Sequence, residues 1–104
     1  MHIIYLPKAA DFVANLDDPL VGRVRRTVKL LETLGSGLRM PFSKPVEHGL
    51  FELRIVGAVH VRLLYFFYKG EAVVVHAFAK KTERLSRGDI EYALLARNTF
   101  IAEV

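Results

Sequence analysis

The sequence predicts an α+β fold in which two N-terminal helices and one C-terminal helix pack on an antiparallel sheet. Three observations predict it. Apolar residues recur at helical spacing as far as residue 34, three strand-like runs with two-residue connections follow from Leu50, and a capped run at helical spacing closes the chain. The 104 residues suffice for a single domain, residues 1–104, and are too few for two cores of ordinary size.

Residues 2–6 form a short apolar run ended by Pro7, which reads as an opening strand at a sheet edge. Residues 8–16 can form a short helix. Asp17-Asp18-Pro19 then starts a second one, with an acidic cap followed by a proline whose missing N–H is no loss in a first turn. Leu20, Val24, Val28, Leu31 and Leu34 recur at spacings of three and four and make its buried stripe, with Arg23, Arg25, Arg26 and Lys29 mostly off it. Gly35 ends this helix. The stretch from there to residue 49, with Gly37, Pro41 and Pro45, reads as a loop.

Strands are predicted at residues 50–56, 59–68 and 72–78, joined at Gly57-Ala58 and Lys69-Gly70 as a meander of hairpins. Ser86 with Asp89 three residues on is a loose capping box ahead of Ile90, Leu94 and Leu95, so a last helix should reach about Asn98.

Charge is uneven. The net charge is +4, but residues 39–87 hold nine Lys/Arg against four Glu, a local +5, a clustering that suits a polyanionic partner. Solubility alone is the other reading of that charge. The absence of cysteine excludes disulfides, thiolate zinc sites and cysteine nucleophiles, and allows a reducing compartment. With neither a leader pattern nor an apolar run of membrane-spanning length, a soluble cytoplasmic protein is expected, with no membrane partner.

Alternation along the strands puts Glu52 and Arg54 on one face with His60 and Arg62, and Phe51, Leu53, Ile55, Leu63, Tyr65 and Phe67 on the other, where the helices should pack. His76, Phe78 and Lys80 alternate on one face of the last strand, which runs into Lys81 and Arg84. Cations from three strands could therefore converge on a phosphodiester and offset the charge that builds on a phosphorane transition state. The competing readings are a solvated outer-face charge for each arginine, a hydrogen-bonded structural role for His76, and an ordinary solvated turn for Lys80 and Lys81. His48, His60 and His76 lack metal-motif spacing, and neither a phosphate-cradling glycine loop nor a nucleophile elbow occurs, so neither metal nor cofactor is expected.

Pro41 and Lys44, Gly49-Leu-Phe-Glu-Leu-Arg54, Val61-Arg-Leu-Leu-Tyr-Phe-Phe67 and His76-Ala-Phe-Ala-Lys-Lys-Thr82 come in an order that resembles the HigB-like, phage-derived branch of the RelE/ParE toxin superfamily, over about residues 20–100. The resemblance implies two N-terminal helices on a curved antiparallel sheet, here a three-stranded meander plus the short N-terminal strand, with a C-terminal helix. It implies the toxin of a type II toxin-antitoxin system, an endoribonuclease that cleaves messenger RNA on the ribosome and so inhibits translation. The chemistry implied is attack of a ribose 2′-OH on the adjacent phosphate without metal. The implied partners are messenger RNA, the ribosome and a cognate helix-turn-helix antitoxin of HigA type, the last in a heterotetrameric complex.

Matched by position, Arg54, Arg62, His76, Lys80 and Lys81 are the implied catalytic residues, and Lys44, Arg84 and Arg87 are the expected RNA-binding ones. Arg62 and Lys81 would meet the scissile phosphate; Arg54 would bind phosphate or, with Lys80, serve proton transfer. Arginine is implausible as a base, which leaves His76 or a lysine for that role. Glu52 stands where some relatives carry a further basic residue, and it could orient Arg54 or Arg62. Two other functions remain open at this point: a ParE-like toxin that inhibits gyrase by protein contact, and a module that binds RNA or antitoxin without turnover.

Overall fold

The computed structural model describes residues 1–55, 57, 60–80, 82 and 84–104. Strand β1 (His2–Tyr5) stops short of Pro7, which cannot donate to a ladder and instead opens helix α1 (Pro7–Ala14). Helix α2 (Asp18–Leu34) follows Asp17, whose backbone begins the helix without a side-chain cap bond. It ends at Gly35, where a φ of 55° favours a residue without a β-carbon. Val24, Val28 and Leu31 form the buried stripe as expected. Leu34 does not join them and is exposed, because the chain leaves the helix axis there in a 3-10 turn at Gly35–Gly37.

Strand β2 (Ser43–Pro45) lies inside the stretch expected to be a loop. Ser43 accounts for it: its hydroxyl meets the Tyr65 hydroxyl at 2.5 Å in the interior, and burial pushes the Tyr65 phenol above its ordinary pKa. Pro45 is tolerated because β2 is an edge strand. Strands β3 (Phe51–Ile55), β4 (His60–Tyr68) and β5 (Glu71–Lys80) make the expected meander. Lys69 and Gly70, at φ of 50° and 79°, form the two-residue turn that joins β4 to β5.

The sheet order is β1-β5-β4-β3-β2. Since β1 runs parallel to β5, the sheet is mixed and five-stranded, where a four-stranded antiparallel one was expected. The two helices between β1 and the meander let the chain return at the opposite edge, and β5 then comes back alongside β1 in the same direction.

The sheet has a core on each face. Leu53, Ile55, Val61, Leu63 and Tyr65 pack with Val24, Val28 and Leu31 of α2. Leu64, Phe66, Val73 and Val75 pack with Ala93 of helix α3 (Arg87–Glu103). Ser86 caps α3 by accepting from the Asp89 amide at 3.1 Å, and the helix runs past Asn98 because Phe100 still has partners, the rings of Phe66 and Tyr68 at 6.0 and 5.7 Å. A bulge between Leu64 and Tyr65 shifts the β4–β5 register, so that Leu64 faces His76 while Tyr65 faces Val74. That shift places His76 and Phe78 on the α3 side after Val73 and Val75. Among the described residues no helix is long and apolar enough to cross a membrane.

Candidate functional site

Strands β2, β3 and β5 carry Lys44, Glu52, Arg54 and Lys80 into one cleft of about 550 Å³, whose other wall includes Arg84 and Ile90 where the chain enters α3. Ladder register explains the grouping, since Lys44 lies opposite Glu52 across β2–β3 and Arg54 lies opposite Arg62 across β3–β4. Four cations thus surround one carboxylate.

Glu52 forms the floor. Its Oε2 stands 3.2 Å from Nε of Arg62 and accepts a hydrogen bond from Nζ of Lys80 at 3.5 Å, with Arg62 and Glu52 each only 4% exposed. Arginines directly opposite each other in a ladder repel, and Glu52 one row away offsets that repulsion. Two cations on one carboxylate leave the trio net positive. Charges in such a water-poor setting act on a bound anion more strongly than surface charges do.

Arg54 sits at the lip. Its amide donates to the Phe42 carbonyl at 2.8 Å and its Nη1 lies 3.6 Å from Sδ of Met40, so the guanidinium is directed by the segment that precedes β2.

His76 stands outside the cleft. Its Nε2 is 2.8 Å from Oδ1 of Asp89, and its ring stacks on Phe78 and leans on Tyr92, each at 4.5 Å between centroids. Leu64 separates it from Glu52 in the ladder. Ser86 donates to the other Asp89 oxygen at 2.7 Å, so the Asp89 carboxylate ties the start of α3 to β5.

Of the expected RNA-binding residues, Lys44 and Arg84 line the cleft and Arg87 does not. Arg87 grips Glu47 through two hydrogen bonds of 2.5 and 3.0 Å and reaches Glu91 at 3.4 Å. Those hydrogen bonds hold the Glu47 carboxyl below, and the Arg87 guanidinium above, the ordinary range. Lys81 lies outside the described residues. Arg54, Lys80, Lys44 and Arg84 are therefore brought together, Arg62 joins them from beneath through Glu52, and His76 and Arg87 are engaged elsewhere. Phe66 and Tyr68 pack under α3 against Phe100, on the same side of the sheet as the cleft. Among the described residues, no three of His, Asp or Glu gather as a metal site would need.

Glu52 is the residue that sequence reasoning undervalued. Part of the signal was present, since an acid on one strand face with Arg54 and Arg62 is an acid in a cationic field, while Lys44 joins it only through β2.

Comparison with curated proteins gives no match at a significant level. A family model described as phage derived protein Gp49-like (DUF891) matches residues 11–97, a span that runs from within α1 to within α3 and includes every residue of the cleft. The chain belongs to this Gp49-like phage-derived family, a family of RelE/HigB-like toxins.

Proposed function

We propose that the chain, acting as one domain in the cytoplasm, is the toxin of a type II toxin-antitoxin pair and cleaves messenger RNA on the ribosome. One observation carries the reading: Lys44, Arg54, Lys80 and Arg84 line a single open cleft around one carboxylate, an arrangement fitted to a phosphodiester and poorly explained by solubility alone. Family membership supports a toxin, and with it an antitoxin partner. The antitoxin is a helix-turn-helix protein, and the two associate as a heterotetramer.

In this reading Lys44 and Arg54 hold the scissile phosphate while the ribose 2′-OH lies over Glu52. Glu52 takes the 2′ proton as O2′ bonds to phosphorus. The bond from phosphorus to O5′ breaks, and Lys80 returns a proton to O5′, leaving a 2′,3′-cyclic phosphate and a 5′-OH. Arg62 acts through Glu52 as a positioning residue, and its buried charge, with the exposed charge of Arg84, offsets the negative charge that grows on the phosphoryl oxygens. Lys81, next to Lys80 in sequence, is a further source of compensating positive charge.

Expression in bacteria, with and without the adjacent small gene, tests the reading. Growth arrest that the partner relieves, together with transcripts cut within translated regions, is the expected result. Arrest with intact transcripts would move the function to gyrase, and unimpeded growth would remove the toxin reading.

A further inference from the structure

Helix α3 carries two apolar flanks. Ile90, Ala93 and Phe100 turn towards the sheet, while Tyr92, Leu95 and Thr99, at spacings of three and four, form a second stripe along a groove of about 440 Å³. Leu6 and Pro7, where the chain enters α1, make its other wall. Tyr92 is 38% and Leu95 67% exposed, so this stripe lies open. At the Tyr92 end the groove runs into a hollow of about 310 Å³ that shares Lys8, Val75 and Tyr92 with it. Lys8 therefore stands at that end. Glu103 lines the other, at the last residue of α3, roughly 16 Å from Tyr92 at a helical rise of about 1.5 Å per residue. Neither Lys8 nor Glu103 has an ion-pair partner among the described residues.

An apolar stripe with one cation at one end and one carboxylate at the other has no excess charge to hold a nucleic acid. Its charges suit a second copy of itself. In an isologous contact residue i meets j and j meets i, so two α3 helices laid antiparallel across a two-fold axis bring Lys8 of each copy to Glu103 of the other, and two ion pairs form from one arrangement. Shape agrees with charge. Leu95 and Thr99 lie midway along the stripe, where the axis passes, and the exposed Leu95 projects beside a recess walled by Leu6, Pro7 and Phe100 that can receive the same leucine from the other copy.

We infer that this groove is a self-association surface, through which two copies of the chain pair about a two-fold axis. The inference goes beyond the nuclease reading and does not depend on it. Arg84 and Ile90, which wall the cleft, lie on the opposite flank of α3, so both clefts stay open in the pair. The patch is far smaller than the roughly 20–30 residues a side of a standard interface, which sets a weak association with a dissociation constant of about 10–100 µM.

Sedimentation equilibrium of the purified full chain, from micromolar to submillimolar concentration, tests it. A monomer–dimer equilibrium is the expected result. Leu95→Glu, a change at an exposed position that need not disturb folding, should abolish the dimer by setting a charge in each recess. Lys8→Glu and Glu103→Lys each turn both ion pairs into like-charge pairs and should weaken association about tenfold. Neither change threatens its own helix, because an acid suits the first turn of α1 and a base the last turn of α3. The two single variants mixed together, or both changes in one chain, should recover the original affinity within about twofold, since each Lys8 position again faces an opposite charge at position 103. A chain that stays monomeric, a dimer that survives Leu95→Glu, or a mixture no tighter than either variant alone overturns the pairing. Monomer throughout, with α3 amides protected from hydrogen exchange only when the product of the adjacent gene is added, also overturns it and gives the groove to that partner.

Discussion

Arg62 and Glu52 form an ion pair across neighbouring strands with almost no water around it, 3.2 Å from guanidinium nitrogen to carboxylate oxygen. Arginine on the outer face of a strand is ordinarily a solvated guard of the sheet. Here Arg62 is buried, and its side chain is held by Glu52 and by a bond from its own Nη1 to the Val61 carbonyl at 3.0 Å.

Arg62→Ala therefore removes one partner of a buried pair and should lower stability by about 3–5 kcal/mol, a large fraction of the stability of a domain this size. Urea unfolding of the purified chain measures it. A midpoint unchanged from the unaltered protein would mean that the pair is open to water in solution. Loss of toxicity in this variant alone is consequently weak evidence for contact with RNA.

His76 should act through structure. Replacing it with Phe keeps the ring between Phe78 and Tyr92 but deletes the 2.8 Å bond to Asp89, so a stability loss of about 1–3 kcal/mol is expected from the carboxylate left short of a partner. Cleavage rates measured from pH 5 to 9 should fall less than about tenfold and keep their shape, against the 10²–10⁴ typical of a lost acid or base. Disappearance of a limb of the pH profile in His76→Phe would return His76 to the reaction.

The Glu47–Arg87 clamp ties the loop before β3 to the first turn of α3, and it sets an acid dependence of stability. The folded-state pKa of Glu47 is depressed, chiefly by its hydrogen bonds with Arg87. The clamp's contribution is thus present above the unfolded carboxylate value and is lost as pH falls through the lower, folded one. The urea-midpoint difference between the unaltered chain and Glu47→Gln should be seen at pH 6, shrink towards pH 3, and shrink also in high salt because both groups are exposed. A difference that persists at pH 3 would contradict this origin.

Much of the molecule was legible in the residues. Period-2 alternation assigned Arg54, Arg62, Glu52 and Lys80 to one face, and helical period assigned Val24, Val28 and Leu31 to the core on the other. Alternation reports a face and not what covers it, so the burial of Arg62 could not be read. Strand β2 was hidden because Ser43-Lys44-Pro45 has no apolar pattern, and its place depends on one buried hydroxyl pair with a residue on β4. His76 carries the same face as Lys80, yet it is drawn to Asp89, a partner known only once α3 is in place. The arginines of α2 looked like a solvated surface, and only the approach of Phe42 turns two of them into the wall of a hollow.

The ends of the cut RNA report the chemistry of the cleft most directly. Single-stranded RNA or translated messenger, incubated with the unaltered chain and with folded Lys80→Met and Glu52→Gln, should yield 2′,3′-cyclic phosphate and 5′-OH ends from the unaltered chain. The same products should form about 10²–10³ more slowly in either variant. Cleavage at full rate in both variants, or 3′-OH ends in place of the cyclic phosphate, would contradict the account.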